Sequence, residues 1–126
     1  MIRYRYNRQL SPPAPFVHVS LQALEGTAAI TDLPAQLDTA AGMTVIPAAL
    51  VTRSGLVPFG TVQVSAFGGL LTTERTFLAR VRIRNHEPEV VKTVSSAEEP
   101  HVLLGRDVLN RHRLLLDGPR GVLEIG

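Results

Sequence analysis

A carboxylate followed by a hydroxyl and two small residues, Asp38-Thr39-Ala40-Ala41, is the stretch of this 126-residue chain whose residue types best suit chemistry. Ala35-Gln36-Leu37 leads into it with strand character, and Gly42-Met43-Thr44 turns the chain back into apolar Val45-Ile46. A positioned carboxylate can act as a general base or a general acid. Small residues beside it let a second backbone come close, and the Thr39 hydroxyl can donate to a neighbouring chain. Alone, such a triplet is common, and Asp38 then reads as a turn aspartate bonded to its own backbone. Its weight depends on two later stretches, Phe67-Gly68-Gly69 and Leu104-Gly105-Arg106-Asp107.

Other chemistries find little support. There is no cysteine, so disulfides, thiolate catalysis and cysteine zinc sites are excluded. His18, His86, His101 and His112 are scattered without ligand spacing, so neither a metal nor another cofactor is expected. No Ser-His-Asp or phosphate-loop pattern occurs, and Glu98-Glu99 reads as a solvated loop. The net charge is +2, from 13 basic and 11 acidic residues. Arginines gather only at Arg3, Arg5 and Arg8 and at Arg80, Arg82 and Arg84. These read as solvated strand faces, so no nucleic-acid partner is expected. No apolar run reaches the roughly 18 residues of a membrane helix. Met1 to Gln9 lacks a signal-peptide core. A cytoplasmic protein without a membrane partner is the default, although one trimmed of an anchor would read the same way.

The elements that must position Asp38 are strands. Residues 2 to 6, Ile-Arg-Tyr-Arg-Tyr, alternate strictly. Ser11-Pro12-Pro13-Ala14-Pro15 then interrupts any ladder, which separates an arm and linker (1–15) from a single domain (16–126). Phe16 to Leu24 alternates again. Thr27 to Thr31 is expected as a strand, with Asp32-Leu33-Pro34 a tight connection into the next. Pro47 to Leu50 suggests a helical turn. Thr61 to Ser65 and Leu70 to Ile83 form the clearest hairpin, with Phe77, Ala79, Val81 and Ile83 on one face. Val90 to Val94 and Val102 to Leu104 are further strands, Arg106 to Arg111 suits a short helix, and Leu114 to Leu116 with Val122 to Ile125 makes a last hairpin. Many short strands and little helix indicate an all-β domain, closed or sandwiched.

In their order and strand context, the Asp38 motif, the glycine hairpin and Leu104-Gly105-Arg106 resemble the retropepsin family, the aspartic proteases of retroviruses and their cellular and bacterial relatives. The resemblance runs from about Phe16 to Ile125. It implies an all-β barrel or sandwich subunit with a flap hairpin and one short helix, working as a twofold dimer. By that resemblance Asp38 is catalytic, Thr39 reaches toward the second subunit, and Ala40, Ala41 and Arg106 support the site. Ala66, Phe67, Gly68, Gly69 and Leu70 would form the flap over substrate, with Gly42 in the cleft.

The implied activity is a homodimeric aspartic endopeptidase acting on an extended peptide. The alternative is a non-catalytic dimeric module that binds peptides or regulates. Elementary chemistry agrees with the dimer: hydrolysis by water needs an acid and a base, and two like carboxylates sharing a proton supply both. Two departures stand out. Ala40 replaces the usual glycine, and Gly42 stands where retroviral members carry an acidic partner for the arginine. Arg106 is left to Asp107, Asp32 or a carboxylate of the other chain. The terminal hairpin is open to pairing across the axis. The Ile2-Tyr4-Tyr6 arm is open to adding a strand, blocking the cleft or serving as a self-cleavage segment.

Overall fold

The computed structural model describes residues 1–65 and 68–126. Its main sheet contains, in order, β2 (Phe16–Gln22), β3 (Ala29–Leu37), β8 (Val102–Leu104), β4 (Val45–Pro47), β7 (Glu89–Ser96), β6 (Leu71–Ile83) and β5 (Val57–Ser65). β6 also pairs with β2, setting Val19 against Ile83 and Leu21 against Val81. That pairing closes the sheet into a barrel and leaves β5 outside, held by β6 alone. Val17, Val19, Leu21, Ala79, Val81 and Ile83 point inward and are almost fully buried. The alternation read in β2 and β6 is therefore the barrel wall seen edge-on. Each large aliphatic residue so buried contributes about 1.5–3 kcal/mol.

One expected break is absent. Residues 29–37 form a single strand, and Asp32-Leu33-Pro34 lies inside it. A register shift against β2 occurs between Val19 and Leu21, and Asp32 takes a left-handed φ of 56° there. A bulge, not a turn, absorbs the irregular residues. Pro34 is tolerated because Leu37 N–H donates to Pro15 O at 3.1 Å, which fixes the ladder phase. In that phase residue 34 faces away from β2, and the pairing with β8 starts only at Ala35.

Helices are minor. The turn expected after Pro47 runs two turns as α1 (Ala48–Ser54), ending at Gly55 with φ 62°. α2 (Arg106–Leu109) buries Val108 and Leu109 against the barrel. A second, three-stranded sheet orders β1 (Ile2–Arg5), β10 (Val122–Ile125) and β9 (Leu114–Asp117). The amino-terminal arm thus adds a strand to the carboxy-terminal hairpin of its own chain, with Tyr4 opposite Leu123. The proline-rich stretch returns through reciprocal backbone bonds between Asn7 and Ala14.

Candidate active site

Asp38 follows directly on β3, and its place is set by the neighbouring parallel strand. Leu37 lies beside Leu104, and Asp38 N–H donates to Leu104 O at 3.0 Å. The chain then turns on itself. Asp38 Oδ1 accepts the Ala40 N–H at 3.1 Å, and Asp38 O accepts the Ala41 N–H at 3.2 Å. Among the described residues no donor bonds Oδ2, so half of this partly buried carboxylate is left for chemistry.

Two ties join this loop to the start of α2. Arg106 N–H donates to Ala41 O at 2.8 Å, and the Arg106 guanidinium donates to Thr39 O at 2.7 Å. Within its own chain Arg106 therefore takes a backbone carbonyl, and neither Asp107 nor Asp32, the two expected partners on this chain, pairs with it. Asp107 is already occupied: it accepts Thr44 N–H at 2.9 Å, Thr44 Oγ1–H at 2.7 Å and Val108 N–H at 2.9 Å. Asp32 lies on the bulge, near His18 at 3.6 Å. Gly42 faces the guanidinium, since a Cβ there would sit 3.6 Å from an Arg106 terminal nitrogen. A side chain at that position would meet the arginine.

Gly105 is where the two loops cross. A Cβ would lie 2.7 Å from Met43 C and 2.8 Å from Met43 O, so only glycine fits. Its N–H donates to Thr44 Oγ1 at 3.1 Å. Thr44 is fully buried and also gives its carbonyl to Val94 N–H at 3.0 Å. Thr44 and Asp107 thus lock the Asp38 loop to α2 and β7. Sequence reading missed that role. Its one signal was an acidic residue in the first turn of a helix opened by glycine.

The glycine hairpin stands apart from this cluster. Gly68 and Gly69 take φ of 91° and 80°, which favours glycine, and Leu70 is exposed at the tip. Ala66 and Phe67 lie outside the described residues. Among the described residues, no hydrogen bond links 68–70 to the Asp38 loop. A concavity of about 430 Å³ lies elsewhere, lined by residues such as Tyr4, Tyr6, Phe16, His18 and Pro34. It includes none of the candidate site residues. His86 and His112 meet edge to face, but no metal-binding group occurs among the described residues.

The family described as gag-polyprotein putative aspartyl protease matches residues 25–111. The chain belongs to that family. Solved structures of retropepsin-like proteases share its fold. A retropepsin-like aspartic protease from Rickettsia conorii superposes with a TM-score of 0.64 at 14% identity, covering 97% of this chain and 86% of that one. EIAV protease, in complex with the inhibitor HBY-793, gives 0.62 at 19% identity, covering 78% and 86%. The retroviral protease-like domain of Ddi1 from Leishmania major gives 0.53 at 16% identity, covering 87% of each. No curated protein matches. The barrel is therefore that of the retropepsin-like aspartic proteases, and no described helix is long and apolar enough to cross a membrane.

Proposed function

We propose that this chain is a homodimeric aspartic endopeptidase whose two Asp38 carboxylates, one from each subunit, activate a water for attack on a peptide bond. The observation that carries this reading is the Asp38 carboxylate itself. Leu104 O holds the Asp38 backbone N–H and Ala40 N–H holds Oδ1, which leaves Oδ2 unbonded among the described residues, in a protease family member that offers one such motif per chain. A single carboxylate cannot supply both partners of the reaction. Two brought together by a twofold axis share one proton, because like charges a few ångströms apart cannot both ionise. The ionised partner takes a proton from the water, and the protonated partner donates to the scissile carbonyl. Each Asp38 would be aimed by the Arg106 and Thr44–Asp107 ties, and the Thr39 hydroxyl would reach toward the other subunit.

The β5–β6 hairpin would act as a flap, with Gly68 and Gly69 letting its backbone approach an extended peptide and exclude water. Ala66, Phe67 and Leu70 would complete the flap surface, with Gly42 lining the cleft. The alternative, a dimer that binds peptides without cutting them, draws support from Ala40, whose methyl group stands where the usual motif has glycine. One experiment separates the two. Asp38→Asn should abolish cleavage of unfolded protein substrates, a drop of at least about 10³-fold, while circular dichroism stays unchanged. Cleavage persisting in that variant removes the proposal. A wild-type chain that binds extended peptides but never cuts them selects the alternative.

A further inference from the structure

β10 has both edges filled by its own chain, with β1 on one side and β9 on the other. No strand of another copy can insert beside it without displacing one of these. The free edges of the small sheet are thus β1 and β9, and hydrogen-bond phase says what each offers. Arg113 and Gly126 exchange backbone bonds of 3.2 and 2.9 Å. Along this antiparallel ladder, Arg113, Leu115 and Asp117 therefore turn their amides toward β10. Leu114 and Leu116 turn theirs outward. On the other side Tyr6 N–H donates to Gly121 O at 2.8 Å, which leaves the amides of Arg3 and Arg5 on the outer edge.

The two edges differ in what they would set against a copy of themselves. Antiparallel self-pairing through β1 brings Arg3 or Arg5 opposite an arginine in every register its outward amides allow. Like charges so placed destabilise, and this edge is guarded. Self-pairing through β9 with Leu115 on the axis does the reverse. Leu114 faces Leu116 of the partner subunit as a hydrogen-bonded pair, twice, and Arg113 faces the partner subunit's Asp117, twice. Leu115 meets its own copy. Leu115 and Leu116 are 53% and 50% exposed in the single chain, an unusual display for an unguarded edge.

We infer that β9 is the seam of the dimer, joining two three-stranded sheets into one continuous sheet across the twofold axis. The occupant is a second copy of this chain, chosen by charge complementarity and by a site that lacks its second Asp38 without it. The inference rests on the dimeric reading above and adds where, and in what register, the copies meet.

The absence of native cysteine makes the register testable. Leu115→Cys should cross-link into a reducible dimer under mild oxidation, because a non-hydrogen-bonded antiparallel pair sets the Cα atoms about 4.5 Å apart. Leu116→Cys should not, since its own copy would lie on the order of 8 Å away along the strands. Leu116→Pro deletes an outward N–H without touching the ladder to β10, and should weaken dimerisation in sedimentation by about tenfold or more. Both cysteine positions are half exposed, so the fold is retained. A dimer in which Leu115→Cys stays uncross-linked overturns the seam. Repeating the cross-link in the Asp38→Asn background separates the claims: cross-linking with cleavage retained upholds the seam and sinks the chemistry. An inactive Asp38→Asn dimer that will not cross-link does the opposite. A chain monomeric at all concentrations sinks both.

Discussion

At the scale of single residues, the aim of Asp38 depends on Thr44, which is fully buried and whose amide, hydroxyl and carbonyl are all hydrogen-bonded. Its hydroxyl donates to Asp107 and accepts from Gly105 N–H, so its removal strands the buried Gly105 N–H and takes from Asp107 one of its three bonds. Thr44→Val keeps the shape and deletes both bonds, and should lower stability by about 2–3 kcal/mol. Urea unfolding checks this, with Thr44→Ser expected to keep most of the loss from occurring. Equal midpoints for valine and threonine would show that the tie is dispensable. Asp38, Arg106 and the glycines were legible in the sequence because their types are chemically distinctive. The Thr44–Asp107 lock was not, because a threonine in a turn carries no pattern and its partner lies 63 residues away. Arg106 was given candidate carboxylates for the same reason: sequence reveals charges and hides which ones are already taken.

At the scale of elements, alternation served well where a strand lines the barrel, as in β2 and β6, and failed in β3. Asp32-Leu33-Pro34 carries the composition of a turn, yet the flanking ladder outweighs it and a bulge absorbs the misfit. The arm was legible as a strand but not as to its destination, since nothing local names β10 as its partner. What fastens it is Tyr4, which is buried and has no hydrogen-bond partner for its hydroxyl among the described residues. Burial raises the Tyr4 pKa above its ordinary value of 10.0, against the opposing charge of Arg84, whose guanidinium stacks 4.7 Å from the ring centre. The folded state thus favours the neutral phenol. Its contribution is whole below the ordinary tyrosine range and is lost as pH rises through the higher folded value. Stability should therefore fall as pH rises through and above the ordinary tyrosine value of 10.0 in the native chain and fall less in Tyr4→Phe, as urea midpoints across that range would register. Parallel curves for the two proteins would mean that the hydroxyl titrates alike in both states.

At the scale of the whole molecule, the proposed pairing of one Asp38 from each chain would make catalysis a function of concentration. If the active unit is a pair, dilution below the dissociation constant leaves chains that are folded but incomplete, since β1, β10 and β9 already form a three-stranded sheet within each protomer. The rate should then rise with the square of enzyme concentration when dilute and become linear once dimers dominate. An extended peptide inhibitor spanning both halves of the cleft should move the crossover to lower concentration, because it binds only the pair. Leu116→Pro should move it higher without changing the rate per dimer, as the edge amide lies at the seam and not at the carboxylates. Progress curves over a wide dilution series, read beside sedimentation at the same concentrations, measure both shifts. A rate linear in enzyme at every dilution, including those where sedimentation finds single chains, would mean that one Asp38 suffices and that the pairing has no part in the chemistry.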